Sequence, residues 1–314
     1  MRIAIYGTGG VGGYFGGRLA QIGADVIFIA RGAHLAAIQS HGLRVESVEG
    51  DFVVQPTTAV ADPAQVGPVD ALFVCVKAWQ VPEIAPRLEP LLGPDTYILP
   101  LQNGIESAGQ LADVYGQERV LGGLCGLISY IAGPGHIRHA GGLPFIKFGE
   151  LDNRQSERVA RLRQLFERAS GLVVETPADI HVAIWQKFLL IATWSGVGAM
   201  TRAPIGIMRS QPETRRLMKQ VMQEIYDVAH ATGIALPPET FAQTLAFFDG
   251  IPADGTASMQ RDVLAGRPSE LESQNGAVVR AGLQAGVQTP LNEFIYHALL
   301  PLERRARGEL SFPI

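Results

Sequence analysis

A glycine-rich segment close to the start of the chain constrains the fold more than any other feature. Residues 2 to 6 are short, apolar and β-branched-rich, and they run directly into a glycine cluster that a helix-like pattern follows. In a G-x-G-x-x-G turn, the first glycine permits a tight bend, the second lets the backbone approach a pyrophosphate, and the third lets the helix pack on the strand. We therefore predict a strand, a phosphate-binding loop and a helix. The predicted cofactor-binding residues are Gly7, Thr8, Gly9, Gly10, Val11 and Gly12.

The residue after the next strand indicates which dinucleotide is bound. A second strand-like segment, residues 25 to 30, lies at the distance that a βαβ unit requires, and Arg31 follows it. Proteins that bind NAD usually place Asp or Glu here, about 20 residues beyond the glycines, to bind the ribose 2′-OH. A guanidinium pairs instead with a 2′-phosphate. We predict NADPH as the cofactor; the alternative is that Arg31 is an exposed strand-end residue without this role.

Composition excludes several classes of partner. The chain has 314 residues, of which 47% are hydrophobic and 18% charged, and its net charge is −4, without a basic run that would bind nucleic acid. The longest uncharged apolar run, 188 to 200, is shorter than the roughly 20 residues that cross a bilayer, which favours a buried helix. Because the first strand begins at residue 2, we expect no signal peptide. Cys75 and Cys125 lack metal-ligand spacing and are expected to be free thiols in the cytoplasm, and no metal is predicted.

The order of the elements predicts an α/β fold with two domains. Strand-like and helical segments alternate up to residue 176, including a small hairpin within 34 to 58 that we expect in the main sheet. Later segments read as helices, with starts such as Thr176-Pro177, Thr289-Pro290 and the capping pattern Ser269-Glu-Leu-Glu272. We predict an N-terminal Rossmann-type dinucleotide-binding domain over 1–176 and an all-α C-terminal substrate or catalytic domain over 177–314. The helix at 211 to 232 is a candidate homodimer face, although an apolar stripe of this kind is more often part of an intramolecular core.

Polar residues at strand ends and in an apolar helix are the candidates for chemistry. Lys77 and Asn103 each follow a strand, where ligands of such sheets bind. Lys187 lies in a helix that is apolar nearly all round, so its ammonium either extends to solvent or lines a polar cavity beside an acid. Desolvation lowers a lysine pKa from about 10.4 towards neutrality, as a general acid at pH 7 requires.

A hydroxyl and a carboxylate further along the chain are expected at the same cavity. Ser258 begins one predicted helix and Glu270 lies at the start of the next. Glu270 has an alternative role as a first-turn acid that complements the helix dipole. For Asp262, a structural bond to neighbouring backbone is the simpler interpretation.

These motifs together resemble the ketopantoate reductase (2-dehydropantoate 2-reductase) family over essentially the full length. The features that carry the resemblance are Gly7-x-Gly9-x-x-Gly12 with Arg31, Val76-Lys77, Gln102-Asn103-Gly104, Trp185-x-Lys187, Ser258-Met-x-x-Asp262, Gly266-Arg267-Pro-x-Glu270-x-Glu272 and Asn275-Gly276-Ala-Val. The resemblance implies a cytoplasmic oxidoreductase of pantothenate biosynthesis that uses NADPH to reduce a small 2-oxo acid, ketopantoate or a relative, to the 2-hydroxy acid.

The resemblance also implies roles for single residues. Lys187 would protonate the forming alkoxide, and Glu270 would orient this lysine or the substrate hydroxyl. Ser258 would hold the substrate carboxylate. Lys77 and Asn103 would serve cofactor and substrate.

Two positions depart from the family pattern. Members that reduce ketopantoate usually carry asparagines four and eight residues after the lysine, where this chain has Ile191 and Ser195. Ser195 stays a candidate substrate-binding residue, while Ile191 makes the site more apolar, so a more hydrophobic 2-oxo acid or related ketone is an alternative substrate. Two other functions remain open: a hydroxyacid-type dehydrogenase of a phosphorylated or amino substrate, and an NADPH-binding sensor without turnover.

Overall fold

The computed structural model describes residues 1–313 and divides the chain into two compact units. The first contains Met1–Gln102 and Ser107–Ile180, and the second contains Asn103–Glu106 and the chain from His181 onward. The short segment Asn103–Glu106 is thus grouped with the second unit, although the residues on either side of it belong to the first.

Among residues 1–313, all strands lie in the first unit, and the second unit is helical. The strands are β1 (Arg2–Tyr6), β2 (Asp25–Ile29), β3 (Leu43–Ser47), β4 (Phe52–Val54), β5 (Thr58–Val60), β6 (Val69–Val74), β7 (Leu92–Pro100), β8 (Leu121–Gly133), β9 (His136–Glu150) and β10 (Val173–Glu175). The helices are α1 (Gly10–Gln21), α2 (Gly32–His41), α3 (Val81–Ile84), α4 (Ser107–Tyr115), α5 (Glu157–Glu167), α6 (Ile180–Thr201), α7 (Ile205–Ser210), α8 (Pro212–Ala231), α9 (Glu239–Gly250), α10 (Ser258–Leu264), α11 (Asn275–Ala285) and α12 (Pro290–Ala306).

The first unit is built on a five-stranded parallel sheet. Its strand order is β5–β2–β1–β6–β7, so β1 lies in the centre, with Ile3 in register with Val26 on one side and Ala71 on the other. The central strands are buried on both faces, which is why they consist of continuous apolar residues instead of an alternating pattern. This sheet, followed by a helical second unit, confirms the predicted α/β fold with a Rossmann-type domain.

Helix α1 is rich in glycine because it packs closely against two layers. A Cβ on Gly16 would lie 2.7 Å from the Ile5 side chain of the parallel sheet. On other sides of the helix, a Cβ on Gly13 would lie 2.6 Å from Ile137, and one on Gly17 would lie 3.0 Å from Phe52. Larger side chains at these positions would push the helix away from one layer or the other.

The second layer is a mixed sheet, and it corrects one prediction. Strands β3 and β4 form the predicted antiparallel hairpin, but they belong to a sheet of order β10–β9–β3–β4, with β8 paired to β9. The predicted place of the hairpin in the main sheet is therefore wrong, and residues 34 to 41 belong to helix α2. Alternation of apolar residues identifies a strand, whereas its partner depends on long-range pairing, here between β3 and β9.

In the second unit, the predicted helical character is correct but two helix starts are wrong. Helix α12 begins at Pro290 as predicted, whereas α6 begins at Ile180 instead of at Pro177. The capping pattern at Ser269 starts no helix, since α11 begins at Asn275. The Ser269 hydroxyl donates to the buried carboxylate of Glu303, 2.5 Å away. It therefore binds a residue of α12 instead of capping a helix of its own.

Helix α6 has the length and composition of a membrane-spanning helix. It has 22 residues and a mean hydropathy of 1.2 over its most apolar window, and 61% of that window is buried within the protein. The uncharged run 188–200 lies within this longer helix, which also contains Lys187 and begins at Ile180. The core helix of a soluble protein passes the same test, and its burial agrees with the predicted buried helix.

We expect replacement of Arg158 by methionine to destabilise the protein by about 3–5 kcal/mol, because it leaves a buried carboxylate unpaired. The Glu150 carboxylate is 3% exposed, and Arg158 Nε donates to its Oε1 over 2.7 Å. Burial alone raises the pKa of Glu150, but hydrogen bonds from Arg158 and Ser156 outweigh it and lower the pKa. Denaturant unfolding of the wild-type protein and of Arg158→Met measures the difference in the free energy of unfolding.

Arg161→Met is the matched control for this variant. Arg161 pairs with Glu157 over 2.8 Å on the same helix, but both side chains are mostly exposed, so less than about 1 kcal/mol should be lost. The contribution of Glu150 is present above the ordinary Glu pKa of about 4.3 and is lost as the pH falls through its lowered folded-state value. The Arg158→Met difference should therefore shrink at acid pH. Equal losses of stability in Arg158→Met and Arg161→Met would contradict a special contribution of the buried Glu150–Arg158 pair.

Candidate active site

The glycine loop of the first unit has the geometry that a dinucleotide phosphate requires. Gly7 has φ +102°, and a Cβ there would lie 2.9 Å from the backbone nitrogen of Val76. A Cβ on Gly12 would lie 2.2 Å from the Gly7 carbonyl oxygen, so α1 starts hard against the loop. Nothing lies within 4 Å of a Cβ on Gly9. Protein packing therefore explains Gly7 and Gly12, and the open side at Gly9 fits the close approach of a phosphate.

The N-terminus of α1 supplies the hydrogen-bond donors. Gly9 is the N-cap of this helix and makes no side-chain cap, so the first-turn N–H groups of Gly10, Val11 and Gly12 lack intrahelical acceptors. The Thr8 hydroxyl is turned away from this end, because it donates to the Ile29 carbonyl over 3.1 Å. The residues from Gly9 to Gly12 are thus the donors that fit an anion.

His34 supports this loop, a role that the sequence did not reveal. Its Nδ1 accepts a hydrogen bond from the Gly135 N–H over 3.0 Å, so its Nε2 carries the proton and donates to the Thr8 carbonyl, 2.8 Å away. Burial lowers the pKa of His34, which favours this neutral form. His34 and Gly135 are far apart in sequence, so no local pattern marks the contact.

Two further predicted cofactor residues, Arg31 and Lys77, also belong to the first unit, whereas the third, Asn103, is grouped with the second unit. Arg31 is exposed and is the N-cap of α2, and within the described chain it forms no ion pair. Lys77 is half-buried after the end of β6, where its backbone N–H donates to Gln80 Oε1 over 3.2 Å. An exposed guanidinium at the end of β2 remains available to an anionic ligand.

In the second unit, three of the predicted residues are joined by hydrogen bonds. The Lys187 ammonium donates to Asn103 Oδ1 over 2.9 Å, and Asn103 Nδ2 donates to Glu270 Oε2 over 3.2 Å. Lys187 is half-buried on α6, while Glu270 is 4% exposed. Asn103 therefore links the cation to the buried carboxylate, and its amide orientation is fixed from both sides. We call these three residues the Lys–Asn–Glu chain.

Ser195 and Ser258 are in the same unit but outside this chain of hydrogen bonds. Ser195 is 2% exposed and lies on α6, and the spacing 187, 191 and 195 places Ile191 and Ser195 on the helix face of Lys187. Ile191 is half-buried against the apolar core of the unit. Ser258 is half-buried at the start of α10. In residues 1–313, no hydrogen bond connects either serine to the Lys–Asn–Glu chain.

A charged cluster beside the Lys–Asn–Glu chain was not predicted. The Arg280 guanidinium donates two hydrogen bonds to the Glu106 carboxylate, over 3.0 and 2.9 Å, and one to Glu272 Oε2 over 3.1 Å. The Tyr296 hydroxyl donates to Glu272 Oε1 over 2.7 Å, and burial together with this bond raises the pKa of Tyr296 to about 12. Glu106 and Arg280 are 174 positions apart, so their pairing carries no local signal.

The Lys–Asn–Glu chain has a defined chemical capacity. An ammonium has three N–H donors and a positive charge, the kind of group that stabilises negative charge on a ligand oxygen. Because the buried carboxylate and the amide fix its direction, such a lysine is suited to donate a proton to an alkoxide. Among residues 1–313, no group of three or more His, Cys, Asp or Glu that could hold a metal ion is found.

Comparison with known proteins gives matches over both units. Residues 3–153 match the family model described as ketopantoate reductase PanE/ApbA, and residues 179–303 match the model of its C-terminal domain. A 2-dehydropantoate 2-reductase from Nostoc sp. is 30% identical, and the match covers 99% of this chain and 98% of that protein.

Solved structures agree with these matches. A PanE/ApbA family ketopantoate reductase from Ralstonia eutropha JMP134 superimposes with a TM-score of 0.88 and 32% identity, covering 98% of this chain and 100% of that one. D-mandelate dehydrogenase in complex with NADH gives a TM-score of 0.86 and 25% identity, covering 98% and 100%.

Proposed function

The chain belongs to the ketopantoate reductase family, whose members are dinucleotide-dependent oxidoreductases, and on this premise we propose that it uses NADPH to reduce a 2-oxo acid to the 2-hydroxy acid. The observation that carries the proposal is the Lys–Asn–Glu chain, in which a buried carboxylate and an amide hold an ammonium in one direction. In this proposal, residues 1–176 bind the dinucleotide and residues 177–314 provide most of the substrate site.

The residues of the first unit hold the cofactor in this proposal. The N–H groups from Gly9 to Gly12 bind the pyrophosphate, Arg31 pairs with the 2′-phosphate, and Lys77 contributes to the cofactor site. The similar D-mandelate dehydrogenase structure contains NADH, so the choice of NADPH rests on Arg31. When bound, the dinucleotide supplies the hydride for the carbonyl carbon.

The residues of the second unit stabilise the negative charge that develops on the substrate and supply the proton. As the carbonyl oxygen becomes an alkoxide, the Lys187 ammonium stabilises the negative charge and donates the proton. Asn103 and Glu270 keep the Lys187 ammonium oriented before this transfer, and Asn103 remains beside the neutral amine that the transfer leaves. Asn103 also contacts the substrate. Ser258 binds the substrate carboxylate, and Ser195 binds a second polar group of the substrate. A site that binds a 2-oxo acid needs polar groups for both the carboxylate and the ketone oxygen, and this cation and these hydroxyls provide them.

Ile191 favours a substrate that is more apolar than ketopantoate. It occupies the helix face of Lys187, where an amide would hydrogen-bond a substrate oxygen, and it offers only hydrocarbon. The similar dehydrogenase is named for D-mandelate, which is an aromatic 2-hydroxy acid. Ketopantoate itself and a more hydrophobic 2-oxo acid are therefore the two substrates to compare.

We expect a panel of 2-oxo acids to show oxidation of NADPH with at least one member, and more slowly with NADH. The panel should include ketopantoate, branched aliphatic 2-oxo acids and phenylglyoxylate, each followed by the nicotinamide absorbance with both cofactors. Ile191→Asn should shift the kcat/KM ratio towards ketopantoate by about 5- to 150-fold, equivalent to one buried hydrogen bond of about 1–3 kcal/mol. Tight binding of NADPH without turnover of any panel member would favour a sensor over an enzyme.

A further inference from the structure

The segment Asn103–Glu106 is attached to the second unit by each of its residues. Asn103 is the centre of the Lys–Asn–Glu chain. A Cβ on Gly104, which has φ +117°, would lie 2.8 Å from the Ser273 carbonyl oxygen, so the backbone there touches its neighbour. Ile105 packs on the apolar core, and Glu106 accepts two hydrogen bonds from Arg280. The position of the Asn103 amide thus depends on how this short segment is held.

Arg280 also holds the turn that carries Glu270. Its guanidinium donates to Glu272 Oε2 over 3.1 Å and to the Glu272 carbonyl over 2.7 Å, two residues beyond Glu270. Arg280 itself lies on α11, which packs against α8 and α12. One side chain on a packed helix therefore fixes two separate segments, and each segment contributes one member of the Lys–Asn–Glu chain.

The contacts of Arg280 should affect the position of the two linked segments more than the free energy of unfolding. The side chains of Arg280, Glu106 and Glu272 are 43%, 32% and 37% exposed, and ion pairs at such sites contribute little to the free energy of unfolding. A two-bond fork between guanidinium and carboxylate nevertheless restricts direction more than a single ammonium contact would. The main effect of losing Arg280 should therefore fall on the alignment of Asn103 and Glu270.

We propose that Arg280 is a positioning residue for the reaction: its bonds to Glu106 and Glu272 hold Asn103 and Glu270 at the separation at which Asn103 bridges to Lys187. The proposal rests on the reductase function given above. Arg280 touches neither the reacting atoms nor the Lys187 ammonium in this role and acts only through the two segments.

Steady-state kinetics of three variants test the role. Arg280→Met should lower kcat about 10- to 100-fold, the size expected when a catalytic group is displaced by about an ångström, while the Kd for NADPH stays within about twofold. Arg280→Lys keeps the charge without the fork and should be intermediate. Arg215→Met is the matched control, because Arg215 makes a similar two-bond pair with Asp249 in the same unit, over 2.6 and 2.8 Å. A kcat within about twofold of wild type for both methionine variants would overturn the proposal.

A measurement without turnover separates this proposal from the proposed function. Protein labelled with ¹⁵N in asparagine gives a side-chain amide signal for Asn103, which Asn103→Ala assigns. We expect the signal to move towards that of a solvent-exposed asparagine in Arg280→Met and to stay in place in Arg215→Met. An unmoved signal in Arg280→Met overturns the positioning role. Wild-type protein that reduces no 2-oxo acid would instead overturn the reductase function, and the amide signal would still decide whether Arg280 positions Asn103.

Discussion

Lys187→Met is expected to lower kcat/KM for the preferred 2-oxo acid by about 10²- to 10⁴-fold, the usual contribution of a positioned general acid. At 1.36 kcal/mol for each factor of ten, this corresponds to about 3–5 kcal/mol of transition-state stabilisation. Methionine is close to lysine in length and is a good helix former, so the substitution removes the charge and the proton while keeping the side-chain volume.

The structure indicates why the loss should be specific to chemistry. Lys187 is half-buried between the core residues Trp185, Phe188 and Leu189 of α6, so the helix keeps its packing when the ammonium is removed. Asn103 loses its cationic donor at Oδ1 but retains its bond to Glu270. The glycine loop and Arg31 belong to the first unit, and we expect the Kd for NADPH to change by less than about threefold.

Steady-state kinetics with NADPH, together with a binding titration of NADPH, measure both halves of this expectation. Lys219→Met is the control, because Lys219 is an exposed lysine on α8 of the same unit and should leave kcat/KM within about twofold. Turnover by Lys187→Met at a rate close to that of wild type would remove Lys187 from the mechanism. Equal losses in both variants would indicate a general effect of charge on the unit.

Local features of the fold were predictable from sequence because their causes lie close together in the chain. The β1 strand, the glycine loop and α1 occupy one continuous segment, and the tight bend at Gly7 and close packing at Gly12 demand the residues found there. The start of α12 at Pro290 follows from a single residue with fixed φ. Lys187 and Glu270 were candidates on residue type and family resemblance, and the structure brings both to Asn103.

Features that depend on distant residues were missed. Ser269 and Glu272 have the pattern of a capping box, but the buried Glu303 takes the Ser269 hydroxyl and no helix begins there. Glu270 is therefore not a first-turn helix acid, which was the alternative to its catalytic role. Asn103 was expected after a strand, in contact with cofactor and substrate, but its bridge between Lys187 and Glu270 was not predicted. Neither Glu303 nor the grouping of Asn103 with the helices has a signal in the local sequence.

Arg31→Asp is expected to reverse or abolish the preference for NADPH over NADH, with a change of at least about 100-fold in the ratio of their kcat/KM values. Hydrogen bonds to a charged group contribute about 1.5–3 kcal/mol, so loss of the guanidinium alone should cost roughly 10- to 150-fold with NADPH. The new carboxylate adds repulsion of the 2′-phosphate, and it can also accept hydrogen bonds from the ribose hydroxyl of NADH. The two effects act in opposite directions on the two cofactors.

Three comparisons isolate the cause of this change. Arg31→Met removes the attraction without adding repulsion, so it should lower the NADPH rate while leaving the NADH rate within about threefold. Because Arg31 is exposed and has no ion pair among the described residues, neither variant should change the free energy of unfolding by more than about 0.5 kcal/mol. Arg44→Asp, at an exposed arginine of β3, makes the same change in net charge. If Arg31→Asp and Arg44→Asp give the same cofactor ratio as wild type, then Arg31 does not bind the 2′-phosphate, and the choice of NADPH loses its basis in the sequence.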